Sequence, residues 1–112
     1  MQPDLLERAR SASSLEEEAL VIFEAAQHSA LPVEQRRELC RIIMMAGKEV
    51  PRAVLLGVVA ALKPANYGMD IRGPYIGLDR DKWEAEIGAF DGSAVTPALA
   101  LLIAILEASN AE

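Results

Sequence analysis

Apolar residues recur at helical spacing through the first half of the chain. Ala19, Ile22, Phe23, Ala26 and Ala30 fall three or four residues apart, which predicts one buried helix face over residues 15–29. Ser14-Leu15-Glu16-Glu17 in front of them has the form of a capping box. In that motif the Ser14 hydroxyl accepts from the Glu17 amide, and the Glu17 side chain reaches back to the Ser14 amide. Glu16, Glu17 and Glu18 suit the positive end of the helix dipole. Leu31-Pro32 ends the helix, because a residue before proline avoids helical angles.

Leu39, Ile42, Ile43 and Ala46 form the stripe of the next helix, with Arg37 and Arg41 on another side and Gly47 at its end. The short link at Pro32 predicts an antiparallel hairpin of these two helices. A shorter first helix is expected over residues 4–12, anchored by Leu5, Leu6 and Ala9.

Two segments have no polar face. Residues 53–62 and 98–108 are apolar nearly all round, so helices over 52–63 and 97–108 are expected to be central or to sit in an interface. Thr96 and Pro97 supply the cap and first residue of the last one.

Residues 64–78 break the period. They hold Gly68, Gly73 and Gly77, Pro64 and Pro74, and both tyrosines of the chain, Tyr67 and Tyr75. A long loop is expected here, with at most a short extended pair around 69–71 and 75–76. Such loops are commonly functional. Beyond it, Asp79 is placed as an N-cap, with Asp81 in the first turn. Trp83, Ile87 and Phe90 at i, i+4 and i+7 then predict a fifth helix, stopped at Asp91-Gly92. The fold expectation is all-α: a single helical domain over residues 1–112, a compact bundle of five or six helices with one long loop at 64–78.

Composition narrows the class. The chain of 112 residues is 52% hydrophobic and 25% charged, which argues against disorder and for more apolar surface than a small core hides. A homodimer through helices 52–63 and 97–108 is one expectation. The single cysteine, Cys40, forms no intramolecular disulfide and suits a reducing compartment. Neither apolar stretch reaches the roughly 20 residues that span a bilayer, and the N-terminus lacks a signal-peptide pattern. A cytoplasmic protein, in a bacterium, is expected.

The net charge is −6, unsuited to binding nucleic acid. Residues 34–63 are nevertheless mildly basic between acidic flanks, and their arginines are expected to pair with those flanking acids.

Catalytic chemistry finds little support. His28 is the only histidine and shares a helix face with Glu24, two groups where a metal site needs three or four. Cys40 lies beside the Leu39/Ile43 stripe and reads as a small hydrophobe. Neither a phosphate loop, a nucleophile elbow nor a zinc pattern is present, and no cofactor or metal is expected. Met44 and Met45 suit an adaptable surface, with core packing expected for at least one of them.

The functional expectation is a non-enzymatic protein-binding module acting on a basic partner, such as a toxin-neutralising immunity protein, an antitoxin or a secretion chaperone. Tyr67, Asp70, Arg72, Tyr75, Asp79 and Asp81 are the expected contact residues, because tyrosine and arginine are enriched at interface hot spots and acids steer a basic partner. The alternatives are a structural homo-oligomeric subunit, or a ligand-binding protein or enzyme with a pocket under the 64–78 loop.

Overall fold

A computed structural model describes residues 3–47, 50–64, 66–76 and 81–110. The first four helices lie where the periodicity places them: α1 (Pro3–Ser11), α2 (Leu15–Gln27), α3 (Val33–Ala46) and α4 (Arg52–Leu62). The last helix, α5 (Pro97–Asn110), also follows expectation. Ser14 caps α2 by accepting from the Glu17 amide at 3.2 Å. Glu17 reaches back one residue further than the capping box requires, to the Ser13 amide and to the Ser13 and Ser14 hydroxyls. These donors hold its carboxyl below the usual value, the Ser13 amide most of all.

The all-α expectation is wrong between α4 and α5. The chain there forms three strands, β1 (Met69–Ile76), β2 (Asp81–Ile87) and β3 (Phe90–Ala94), in an antiparallel sheet of order β1-β2-β3. The fold is therefore mixed α/β: five helices and a three-stranded sheet among the described residues. The expected 64–78 loop is largely strand β1, and the two short extended pieces expected within it belong to that one strand.

The expected fifth helix is β2 and β3. Trp83, Ile87 and Phe90 match a helical face, but Trp83, Ala85 and Ile87 also alternate with Lys82, Glu84 and Glu86. The second period is the real one. Ala85 and Ile87 are buried and Trp83 half-buried, while the three charged residues are exposed. Asp91-Gly92 does not stop a helix; it lies inside β3. Asp81 opens β2 instead of a helical turn, and Asp79 lies outside the described residues.

The turn between β2 and β3 is the two-residue pair Gly88-Ala89, closed by Ile87 opposite Phe90. Gly88 has φ +57° and, among the described residues, no non-glycine residue has positive φ, which fits a type II′ turn with glycine in its first central position.

Helix α5 is the centre of the molecule. It touches all three strands as well as α1, α2 and α4. Every residue from Ala98 to Leu106 is buried. Full burial of side chains such as Leu99, Leu101 and Leu102 contributes about 1.5–3 kcal/mol each. The chain thus uses α5 internally over residues 98–106, whereas α4, the other helix expected to meet its copy across a two-fold, keeps an outward face. On α4, Leu55, Val58 and Val59 are buried, whereas Ala53, Gly57 and Ala61 are exposed.

Gly92 fixes how closely the sheet lies on α5. A Cβ there would sit 2.8 Å from the Ala104 amide nitrogen and 2.9 Å from the Ile103 Cβ, and closer still to the Ala100 carbonyl oxygen. Only glycine allows that approach.

Candidate functional site

The sheet has two chemically distinct faces. Toward α5 it turns Ile71, Ala85, Ile87, Gly92 and Ala94. Away from α5, β1 carries Asp70 and Arg72, β2 carries Lys82, Glu84 and Glu86, and β3 carries Asp91 and Ser93, all exposed. The strand register sets Asp70 opposite Glu86 and Glu86 opposite Asp91. Three carboxylates therefore stand abreast across the three strands. Like charges directly opposite one another destabilise a sheet.

Arg72 partly offsets this repulsion. Its guanidinium pairs with Asp70 at 2.8 Å and approaches Glu86 at 3.8 Å. In the neighbouring row Arg72 lies opposite Glu84, and Glu84 opposite Ser93. The outer face retains four acids against two bases. A polar hollow of about 300 Å³ opens beside it, bordered by Arg10, Glu84, Asp91 and Ser93.

The six residues expected to make contacts do not form one cluster. Asp70 and Arg72 share the outer face. Tyr67 is turned inward: its ring meets Phe90 edge-on with centroids 6.3 Å apart and covers Gly88 at the hairpin turn. Tyr67 is thus a plug over the turn, held from the other side by Lys63 Nζ donating to its carbonyl at 2.6 Å. Tyr75 pairs with Lys82 in the ladder, past the irregularity at Gly73-Pro74, and Asp81 pairs with Ile76 at its far end. Asp79 falls outside the described residues.

Glu84, Glu86 and Asp91 were missed by the sequence reading. A helical reading of residues 81–90 scatters them around a cylinder, whereas the strand reading aligns them. The signal that finds them is the alternation of Lys82, Glu84 and Glu86 with Trp83, Ala85 and Ile87.

The groups that suggest chemistry are occupied structurally. Glu24 is bound by Arg8, whose hydrogen bond holds its carboxyl below the usual range, so Glu24 does not form a free pair with His28. Burial pushes the Cys40 thiol up, against a smaller opposing effect of Arg36, which keeps it protonated at neutral pH. Its Sγ lies 3.9 Å from the Phe23 carbonyl oxygen.

Glu18 is 1% exposed, and burial raises its carboxyl above the usual value, with Thr96 and Arg52 acting in the opposite sense. A cavity of about 570 Å³ lies at the C-terminal ends of α2, α4 and α5, with a floor of Leu5, Leu102 and Leu106 and with His28 on its rim. Among the described residues, no group of three or more His, Cys, Asp or Glu is placed to hold a metal ion. Among the same residues, no helix is long and apolar enough to cross a membrane.

No protein family, curated protein or solved structure matches this chain.

The basic middle of the chain also departs from expectation. Arg52 does reach a flanking acid, Glu18, at 3.6 Å. Arg41 instead pairs with Glu38 in its own helix. Arg36 donates to the Gln27 carbonyl, and Arg37 has no ion pair among the described residues. Met44 and Met45 are 68% and 77% exposed, so neither packs in the core.

Proposed function

We propose that the chain is a non-enzymatic protein-binding module whose acidic outer sheet face receives a basic partner, in the cytoplasm of a bacterium. The observation that carries this reading is the row Asp70, Glu86 and Asp91, set abreast by the strand register. Such a row costs fold stability, and a basic partner relieves the repulsion on binding. The net charge of −6 supports the same reading, because it steers a basic molecule toward the protein from a distance. A toxin-neutralising immunity protein, an antitoxin and a secretion chaperone are the functional classes this arrangement suits. The single cysteine, a free thiol, supports a reducing compartment.

The contact set is Asp70, Arg72, Glu84, Glu86 and Asp91. Arg72 keeps the row in place until the partner's own cations arrive. Capture from native lysate tests the reading, comparing the wild type with the triple variant D70N/E86Q/D91N. A basic protein retained at physiological salt, released at high salt and absent from the triple variant is the expected result. No salt-sensitive partner, or equal retention by the triple variant, overturns it.

A further inference from the structure

Helix α3 is the most weakly covered element. It packs on α2 and, over a smaller area, on α4, and Ile43 is its one buried residue. The outer face of the antiparallel α2–α3 hairpin leaves Leu20, Met44 and Met45 exposed, Leu20 by 55%. Two hollows of about 370 and 530 Å³ run along this face and share Phe23 and Met44. The first lies toward the start of α2, with Leu15, Glu16 and Leu20 on its walls. The second lies toward the start of α3, with Arg36, Arg37 and Met45 on its walls.

The two ends of the face carry opposite charge. Glu16 has no ion pair among the described residues, and neither has Arg37. Arg36 donates weakly to the Gln27 carbonyl through Nη1 at 3.4 Å, while its buried Nε has no acceptor among the described residues. A face that is acidic at one end, basic at the other and apolar between is complementary to itself when turned end for end.

We infer that the α2–α3 face is the interface with a second copy of this chain, about a two-fold axis at Phe23 and Met44. The axis exchanges the two hollows. Glu16 of each copy then meets Arg36 and Arg37 of the other, and Met45 of each copy enters the hollow beside Leu20 of the other. Methionine suits this role because its flexible thioether fills irregular gaps. The contact is isologous and closes at two copies. The four helices form an antiparallel bundle, and the acidic sheet faces lie outside it. The dimer is independent of the basic partner and presents that partner with two acidic faces.

The test is the mass in solution at high protein concentration, by light scattering or sedimentation. The wild type is expected at twice 12.1 kDa. Met45→Asp, at an exposed position that leaves helix content unchanged by circular dichroism, should weaken self-association by roughly tenfold or more. Glu16→Arg and Arg37→Glu should each weaken it, and the two together should restore it. D70N/E86Q/D91N should leave the mass unchanged. A 12.1 kDa species at every concentration overturns the inference and leaves the face to another protein's acidic amphipathic helix. A dimer indifferent to Met45→Asp, a charge swap that restores nothing, or a dimer lost in the sheet-face variant also overturns it.

Discussion

Thr96 Oγ1 donates to Glu18 Oε2 at 2.9 Å and joins residues 78 positions apart in the sequence. The same hydroxyl accepts from the Leu99 amide at 3.2 Å, so one side chain caps α5 and supplies a donor to a buried carboxylate on α2. Thr96→Ala removes both bonds. Loss of the cap and of a donor to a buried group should cost about 2–4 kcal/mol in denaturant unfolding, with Thr96→Ser recovering most of it.

Glu18 gives the same contact a pH signature. Burial raises its folded pKa above the unfolded value, so the folded state binds the proton more tightly. Stability from this group is therefore gained as pH falls through the folded pKa and lost as pH rises through it. Glu18→Gln has no such proton to lose. Its melting temperature relative to wild type should rise as pH increases from the acid side of the carboxylate range toward neutrality. A difference independent of pH would contradict the assignment.

Arg8 and Glu24 should behave oppositely. The Arg8 hydrogen bond depresses the folded pKa of Glu24, so its contribution is present above the unfolded value and lost as pH falls through the folded one. Arg8→Ala should cost about 0.5 kcal/mol at neutral pH, since both side chains keep partial solvent access. The deficit should vanish in acid, measured by urea unfolding at the two pH values.

Gly92→Ala tests the sheet–helix approach. The new methyl would meet the backbone of α5 at Ala100 and Ala104, which cannot swing aside as a side chain can. A loss of about 1–3 kcal/mol or more is expected from overpacking, against a gain of up to about 1 kcal/mol for alanine at Gly57, an exposed helix position where an added Cβ meets nothing beyond its own helix.

These tests also mark where the sequence was readable. Helices α2 and α3, the Ser14 cap and the nearly all-apolar α5 each had one dominant pattern and formed where expected, although Ala30 and Ile42 of the predicted stripes are exposed and Ile43 alone is buried on α3. Residues 81–94 carried two patterns at once. Trp83, Ile87 and Phe90 satisfied a helix, and Lys82, Glu84 and Glu86 have good helix propensity. What separates the two patterns is which residues are buried, Ala85 and Ile87 on the sheet face that packs on α5, and that is a tertiary fact. The candidate site followed the fold: Asp70 and Arg72 were found from residue type, but the row with Glu86 and Asp91 exists only once the register is known. Tyr67, chosen as a contact residue, was the plug that closes the hairpin. Met44 and Met45 reached the surface because α3 has little packed over it.

The acidic row should be a stability cost. Glu86→Gln and Asp91→Asn each remove a like charge from a directly opposed pair. Each should stabilise the fold by about 0.2–1 kcal/mol in thermal or chemical unfolding. Unchanged or lower stability in both would mean that Arg72 already neutralises the row.

The central claim is that this costly row is kept for a basic partner. Its most direct test is the affinity of the captured partner for wild type and for D70N/E86Q/D91N, measured across a salt series. The account predicts tight, steeply salt-dependent binding by the wild type, and weak, nearly salt-independent binding by a triple variant that is itself at least as stable. Equal affinity and equal salt dependence for the two proteins would contradict it.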